Sequence, residues 1–543
     1  MGGDLFRELS ETVPALQALS QMIKERRMKQ NKNVLFMAAV VLAGVLIMNS
    51  CGGIETPDVP AAPTIEEIYV DNREVAITWS AVNNAVTYTL YWNTTSSVDT
   101  SDNNISGLLV PYYVHTPLSL FKTYSYAVTA VNAGGESGLS NEVSALPALT
   151  PEELYSRLAS DAEDDDRFGR SVAFDGDHVI VGADFEDGDG GSDRGAAYIF
   201  DRDEGGTDNW GEVKKLTASD AADGDQFGTS VSIDGSTAVV GAPYKDSGAA
   251  YVFYRNEGGD DNWGQEAILA ASDAESGDLF GWSVVVSGNY AVVGAPYEDS
   301  EGTDSGAAYV FYRNEGGENN WGQVAILTAS DVADGDHFGI SVAISGDTVV
   351  VGANFGDGLE ADSGAAYIFD RNQGGDDTWG LVTKLTASDG QGVDMFGYSV
   401  ALDGDHVVVG AASRKGDGIF RGAAYIYGRN EGGDDNWGEV IVLTSSDPED
   451  FDYFGGSVAL DGDYLIVGAG GKWGDGIFRG AAYIFYRNQG GDDNWGEVMV
   501  LTSSAPEDEA YFGSHVAISG DNAIVGAEEE DRGGTDRGAI YIF

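Results

Sequence analysis

The sequence predicts an all-β protein: a seven-bladed β-propeller closed by an N-terminal strand and preceded by a small β-sandwich. Three observations carry that expectation. Phe-Gly recurs at Phe168, Phe227, Phe280, Phe338, Phe396, Phe454 and Phe512, with spacings of 59, 53, 58, 58, 58 and 58 residues, and a period of this length marks a repeat array. Each unit holds four strand-length apolar segments between Gly/Asp turns and no 3.6-residue periodicity, the content of one propeller blade. The seventh copy stops at Phe543, before its fourth strand, while residues 153–161 (ELYSRLASD) match residues 212–220 (EVKKLTASD). One blade is then assembled from both ends of the array, which protects edges that a linear array exposes.

The 543 residues include 29 Lys+Arg against 89 Asp+Glu, a net charge of −60, with 42% hydrophobic residues. The chain is apolar enough to bury a core. Its field repels phosphate backbones, which excludes nucleic acid as a partner, and attracts cations. With one cysteine there is neither an intramolecular disulfide nor a cysteine-based zinc site.

In chain order, residues 1–27 precede a second possible start at Met28 and read as a misassigned start or a long n-region. Residues 34–48 (VLFMAAVVLAGVLIM) follow Lys29 and Lys32; this apolar run is too short for a membrane span and reads as an export signal. The Ser50-Cys51 junction closing segment 28–51 resembles a bacterial lipobox. That resemblance implies a diacylated Cys51 and a lipoprotein at the outer membrane or cell surface, touching the membrane through its lipid alone. An ordinary signal peptide or an uncleaved anchor is the other reading. Residues 52–63, with the run TPDVPAAP, form a Pro-rich spacer.

Residues 64–147 show short alternating strands, among them Val75-Ala76-Ile77-Thr78-Trp79 and Tyr88-Thr89-Leu90-Tyr91-Trp92. Trp79 on the second strand, Tyr124 six residues after Leu118, and GGESGLS at residues 134–140 resemble a fibronectin type III domain. The resemblance implies a β-sandwich used as a spacer, with Tyr124 at the tyrosine corner.

Residues 152–543 read as seven copies of FG-x-S-V-x-[FIVL]-x-G, a β-branched run ending in Gly-Ala, then G-A-A-Y-[IV]-F and R-N-x-G-G-x-x-[NT]-W-G. These motifs resemble the FG-GAP repeats of integrin alpha-chain propellers, with literal GAP at Gly241-Ala242-Pro243 and Gly294-Ala295-Pro296. The resemblance implies a binding propeller. Integrin-type blades often carry an Asp-rich calcium loop after the first strand; here that connection shrinks to turns such as Asp175-Gly176-Asp177 or Ser345-Gly346-Asp347. Three residues cannot wrap an ion that takes six to eight oxygens, so that calcium site is expected to be absent.

Two loop sets remain as candidate sites. Before six of the FG dipeptides stand two aspartates five residues apart: Asp161/Asp166, Asp220/Asp225, Asp273/Asp278, Asp331/Asp336, Asp389/Asp394 and Asp447/Asp452. Asp223 and Asp334 add a carboxylate to their loops, and the seventh copy loses both members as Ala505 and Ala510. The pairs suit turn chemistry, each carboxylate accepting backbone N–H groups, or a calcium ion completed by carbonyls and water. The second set lies between Gly-Ala and G-A-A-Y. Two neighbouring copies there bring Arg414, Lys415, Phe420 and Arg421 beside Lys472, Trp473, Phe478 and Arg479. Tryptophan and arginine together are typical of binding hot spots, so these residues are a candidate patch for an acidic protein or a glycan. Alternatively, the two phenylalanines cover blade ends and the charges are solvated. Lys415-Gly416-Asp417 looks like an integrin-recognition tripeptide and is ascribed to chance.

The recurrent Trp210, Trp263, Trp321, Trp379, Trp437 and Trp495 are expected in the core. No unique nucleophile or base cluster stands out, so a non-catalytic, monomeric surface adhesion protein with an extracellular protein or glycan partner, calcium-assisted or not, is expected. A polysaccharide-active enzyme and a cation-binding envelope component are the alternatives.

Overall fold

The computed structural model describes residues 57–543 apart from 72–73, 95–96, 117, 119–121, 148–153, 189–190, 417, 432, 434–435, 475–476, 490–492, 505–508 and 521. Residues 1–56, including the expected export signal, Cys51 and the start of the expected spacer, lie outside the described residues. The chain divides into two compact units, Met1–Thr150 and Pro151–Phe543.

In the first unit, strands Ile65–Asp71, Glu74–Trp79 and Tyr112–His115 form one antiparallel sheet. Thr87–Asn93, Asn103–Leu108 and Tyr124–Asn132, with the short Gly135–Glu136 and Val143–Ala145, form the other. The alternation in EVAITW turns Val75, Ile77 and Trp79 inward, where they pack with Leu90, Tyr126 and Val128 of the facing sheet. Trp79 meets Tyr88 edge-on at 5.6 Å.

The second unit is seven four-stranded antiparallel sheets, the architecture of a β-propeller. Blade 1 comprises Ser171–Asp175, His178–Ala183, Ala196–Asp201 and Gly211–Leu216. The second and third strands of every blade are buried on both faces, so they read as continuous apolar runs; the fourth is half-buried and carries the polar residues. Blade 7 has Val516–Ser519, Asn522–Ala527 and Ala539–Ile542, and the strand paired with the last of these is Tyr155–Arg157. The two-residue Gly176-Asp177 connection is a tight hairpin, with Asp175 opposite His178 and Gly176 at φ 58°.

The repeated motif residues are the joints between blades. The FG phenylalanine forms a parallel bridge to the glycine that opens the third strand of the preceding blade, as in Gly195–Phe227, and Phe168 bridges to Gly538 of blade 7 in the same way. The serine two residues after the FG glycine donates to the FG carbonyl of the next blade: Ser171 to Gly228, Ser230 to Gly281, Ser283 to Gly339, Ser341 to Gly397 and Ser399 to Gly455, each at 2.8 Å. At the hairpin tips, Asp175, Asp234, Asp403 and Asp461 each accept the glycine N–H of the next blade's turn, at 2.5–2.7 Å. Ser519 of blade 7 does the same for Gly176 of blade 1 at 3.1 Å. The tryptophans before the fourth strands are 1–6% exposed and belong to the core; Trp263 and Trp495 stack edge-on against His178 and His406.

The joint leaves no room for a side chain. A Cβ on Gly352 would lie 2.0 Å from the Gly397 carbonyl oxygen and 2.4 Å from Ser341 Oγ. Gly352→Ala is therefore expected to lower unfolding stability by about 1–3 kcal/mol through overpacking, read as a lower denaturant midpoint.

Candidate functional site

Six of the blades share one carboxylate arrangement in front of FG. The second aspartate accepts the backbone N–H of the residue three positions earlier, from Glu163, Ala222, Glu275, Ala333, Gln391 and Glu449 to Asp166, Asp225, Asp278, Asp336, Asp394 and Asp452, at 2.6–2.9 Å. In five of these blades the first aspartate accepts the hydroxyl of the G-A-A-Y tyrosine: Tyr198 to Asp161, Tyr251 to Asp220, Tyr367 to Asp331, Tyr425 to Asp389 and Tyr483 to Asp447, at 2.6–2.9 Å.

A cation then closes the group, and it arrives from two different places. In blades 1 and 4 it stands on the fourth strand, directly opposite the tyrosine: Lys215 to Asp161 at 2.7 Å and Lys384 to Asp331 at 2.5 Å. In blades 2, 5 and 6 it stands three residues after Gly-Ala: Lys245 to Asp220 and Asp225, Arg414 to Asp389, and Lys472 to Asp447 and Asp452. Blade 7, with Ala510 buried and Ala505 outside the described residues, reverses the layout: Glu530 accepts from both Tyr541 and Arg532. Blade 3 keeps Asp273 and Asp278 but has Glu298 and Ile326 at the two cation positions. Asp223 and Asp334 face neighbouring blades, accepting from Arg194 Nε at 2.8 Å and from the Thr303 N–H at 3.0 Å. No three His, Cys, Asp or Glu side chains are gathered at metal-ligand distance among the described residues.

Burial raises Asp166, Asp278, Asp336, Asp394 and Asp452, with Asp166 pushed up to about 6. Asp161, Asp331 and Asp389 are lowered: burial opposes the shift, but the bonds from the cation and the tyrosine outweigh it.

The patch on blades 5 and 6 is less basic than the sequence suggested. Arg414 and Lys472 point into their own blades as the closing cations just described. Arg421 pairs with Asp450 at 3.1 Å, the joint that Arg194–Asp223 and Arg537–Asp164 make elsewhere; Arg479 holds the same repeat position and is half-buried. On a chain so rich in carboxylates, a long basic side chain finds an internal partner. What remains at the surface is Lys415 and two aromatic clusters. Phe420 stacks on Tyr453 at 5.9 Å and meets Phe451 edge-on at 5.8 Å. Trp473, 39% exposed, meets Phe478 at 4.6 Å across a two-residue-per-strand hairpin, and Phe478 stacks on Tyr511. Phe420 sits at φ 51°, where five other blades place an aspartate. A bulky residue there is disfavoured, so the fold alone does not select it.

One cluster escaped sequence reading. At the seam of blades 7 and 1, Arg170 Nε lies 3.5 Å from both Asp184 and Glu528, and its Nη1 lies 3.2 Å from His515 Nε2. Each member breaks the repeat: His515 replaces the joint serine, and Asp184 and Glu528 occupy a slot that is Pro, Asn, Ala or Gly in the other blades. Asp184 is 3% exposed, with one oxygen unpartnered. Burial raises both carboxyls, and burial beside Arg170 holds His515 down at about 3. Lining the seven repeats up slot by slot would have revealed the departures; proximity across 345 residues would not have followed.

The chain belongs to the FG-GAP repeat family, whose model matches residues 157–200, 210–253, 263–311, 321–369, 379–427, 437–485 and 495–543. It is similar to integrin alpha-7 of Rattus norvegicus, 31% identical over 188 residues, covering 31% of this chain and 15% of that protein. It is also similar to an amylopullulanase of Thermoanaerobacter thermohydrosulfuricus, 40% identical over 81 residues, covering 14% of this chain and 5% of that protein. The chain thus spans a small fraction of either relative. A solved structure described as FN3tt mut is 27% identical, covering 17% of this chain and 97% of that one, with a TM-score of 0.14. The seven sheets and seven matched repeats make the second unit an integrin-like FG-GAP propeller.

Two outcomes follow from the ion groups. Lys472→Met strands the fully buried Asp452 carboxylate and is expected to cost about 3–5 kcal/mol, measured by denaturant unfolding. Asp166 binds its proton more tightly folded than unfolded, so its contribution to stability falls as pH rises from about 4 to about 6, by at most about 3 kcal/mol. Asp166→Asn should flatten that part of the stability–pH curve.

Proposed function

We propose that this protein is a non-catalytic, monomeric adhesion protein, exported and held at the outer membrane or cell surface by a lipid on Cys51. The propeller is closed into a ring by its N-terminal strand, a reading supported by the pairing of Tyr155–Arg157 with blade 7 and by the Phe168–Gly538 bridge. The first unit is a fibronectin type III spacer, supported by its two-sheet topology and the buried Trp79. Calcium is not required by the five aspartate groups that an internal lysine or arginine already closes.

The observation that carries the binding role is the pair of aromatic clusters, Phe420–Phe451–Tyr453 and Trp473–Phe478–Tyr511, with the exposed Lys415 in the same loop as Phe420, on an otherwise acidic protein. Aromatic faces flanked by a single cation suit the apolar faces of sugar rings, or an acidic protein segment bearing an apolar anchor. Trp473→Ser with Lys415→Ser is expected to abolish retention on immobilised cell-envelope polysaccharide while leaving the melting temperature unchanged. Unchanged retention removes the clusters as the binding surface.

The Arg170–Asp184–Glu528–His515 cluster favours a second reading, a polysaccharide-active enzyme, because convergent polar residues that break repeat symmetry are what a catalytic site requires. Hydrolysis of soluble polysaccharides that Glu528→Gln eliminates would establish it.

A further inference from the structure

The seven blades are internal controls for one another, and blade 3 departs from the charge pattern of the rest. In blade 2, Lys245 Nζ lies 3.0 Å from the Asp220 carbonyl oxygen, 3.4 Å from its carboxylate and 3.3 Å from that of Asp225. In blade 6, Lys472 Nζ takes the same three oxygens of Asp447 and Asp452. The fold therefore builds a small three-oxygen pocket that holds a positive charge. In blade 3 the aspartates are retained as Asp273 and Asp278, while the residue in the lysine's place is Glu298 and the fourth-strand position is Ile326. Blade 3 thus has the three acids of blade 1 (Asp161, Asp166 and Glu186) without Lys215.

The stretch of sequence that contains blade 3 is short of positive charge. Between Arg255 and Arg371 the only Lys or Arg is Arg313, and its Nε bonds Asn319 beyond the far end of the third strand. Glu298 is 3% exposed. Its Oε1 accepts the Ser300 N–H at 2.8 Å, and its Oε2, buried, has no hydrogen-bond partner. A buried carboxylate oxygen without a partner carries a large desolvation penalty. The Tyr297 N–H bonds the Asp278 carbonyl oxygen at 3.3 Å, which sets the start of the Glu298 loop beside the second aspartate of the same blade.

We propose that blade 3 binds one hard divalent cation, such as calcium, between Asp273, Asp278 and Glu298, in the position that lysine or arginine fills in other blades. Two or three carboxylates plus a carbonyl and water make a sufficient oxygen set for such an ion. Like charges hold the three carboxylates apart, and the rotatable Glu298 side chain closes the remaining distance on binding. This site lies between the loop before FG and the loop after Gly-Ala, away from the hairpin turn between the first two strands.

The test is calcium titration of the detergent-solubilised full chain, by calorimetry and by thermal melting with and without chelator. Ile326→Lys restores the lysine of blades 1 and 4 at a position that is 44% exposed, so it should fold. The wild-type chain is expected to bind one ion and melt higher with calcium. Ile326→Lys should lose both effects, and Glu298→Gln should weaken binding by about tenfold or more. Absence of saturable calcium binding in the wild-type chain, binding unchanged in both variants, or five or six ions per chain would each overturn the proposal.

Discussion

Everything in the propeller depends on how closely adjacent blades approach at the Phe-Gly joint. The FG glycine and the glycine of Gly-Ala face each other across two blades with backbone against backbone, and a methyl group on either one would collide with a carbonyl. That approach sets the phenylalanine bridge, the serine bond and the hairpin-tip bond, and it is repeated around the ring. The motif residues are accordingly interface residues of a blade, while the β-branched and aromatic residues between them fill the core. A family motif that names Phe, Gly, Ser, Gly and Ala is, in physical terms, a description of a seam.

The same geometry creates an electrostatic obligation. The loop before FG is held by two carboxylates, an exposed one tied to tyrosine and one tied to backbone that is withdrawn from water. Each such group needs a nearby positive charge. The fold offers two positions from which a lysine or arginine can reach it, and five blades use one or the other: a cation on the fourth strand or after Gly-Ala, never on both. The −60 net charge is therefore unevenly distributed, with much of the small basic complement spent internally.

Fold and repeat register were legible in the sequence because seven in-register copies average out local ambiguity, and because matching residues 153–161 to 212–220 exposed the shared blade. The double role of the aspartates was legible only in part. Their five-residue spacing pointed to turn bonds, which Asp166 and its counterparts make, but the tyrosine partner lies some 36 residues further along the chain and gives no local signal. Arg414 and Lys472 were misplaced for a related reason: a basic residue in a variable loop looks like surface until the carboxylate it folds back on is known. Arg170, Asp184, Glu528 and His515 come from opposite ends of the array and meet at the seam of blades 7 and 1.

The shared blade also fixes how the molecule responds to load. Tension entering from the N-terminal side of the propeller passes first into Tyr155–Arg157, an edge strand held to its neighbour by three residue pairs, whereas the fourth strand of every other blade has five. Pulling on an edge strand opens its bonds one after another rather than together. Among the described residues this fourth strand has the fewest pairs of the seven, so it is expected to yield before the six blades built from continuous chain.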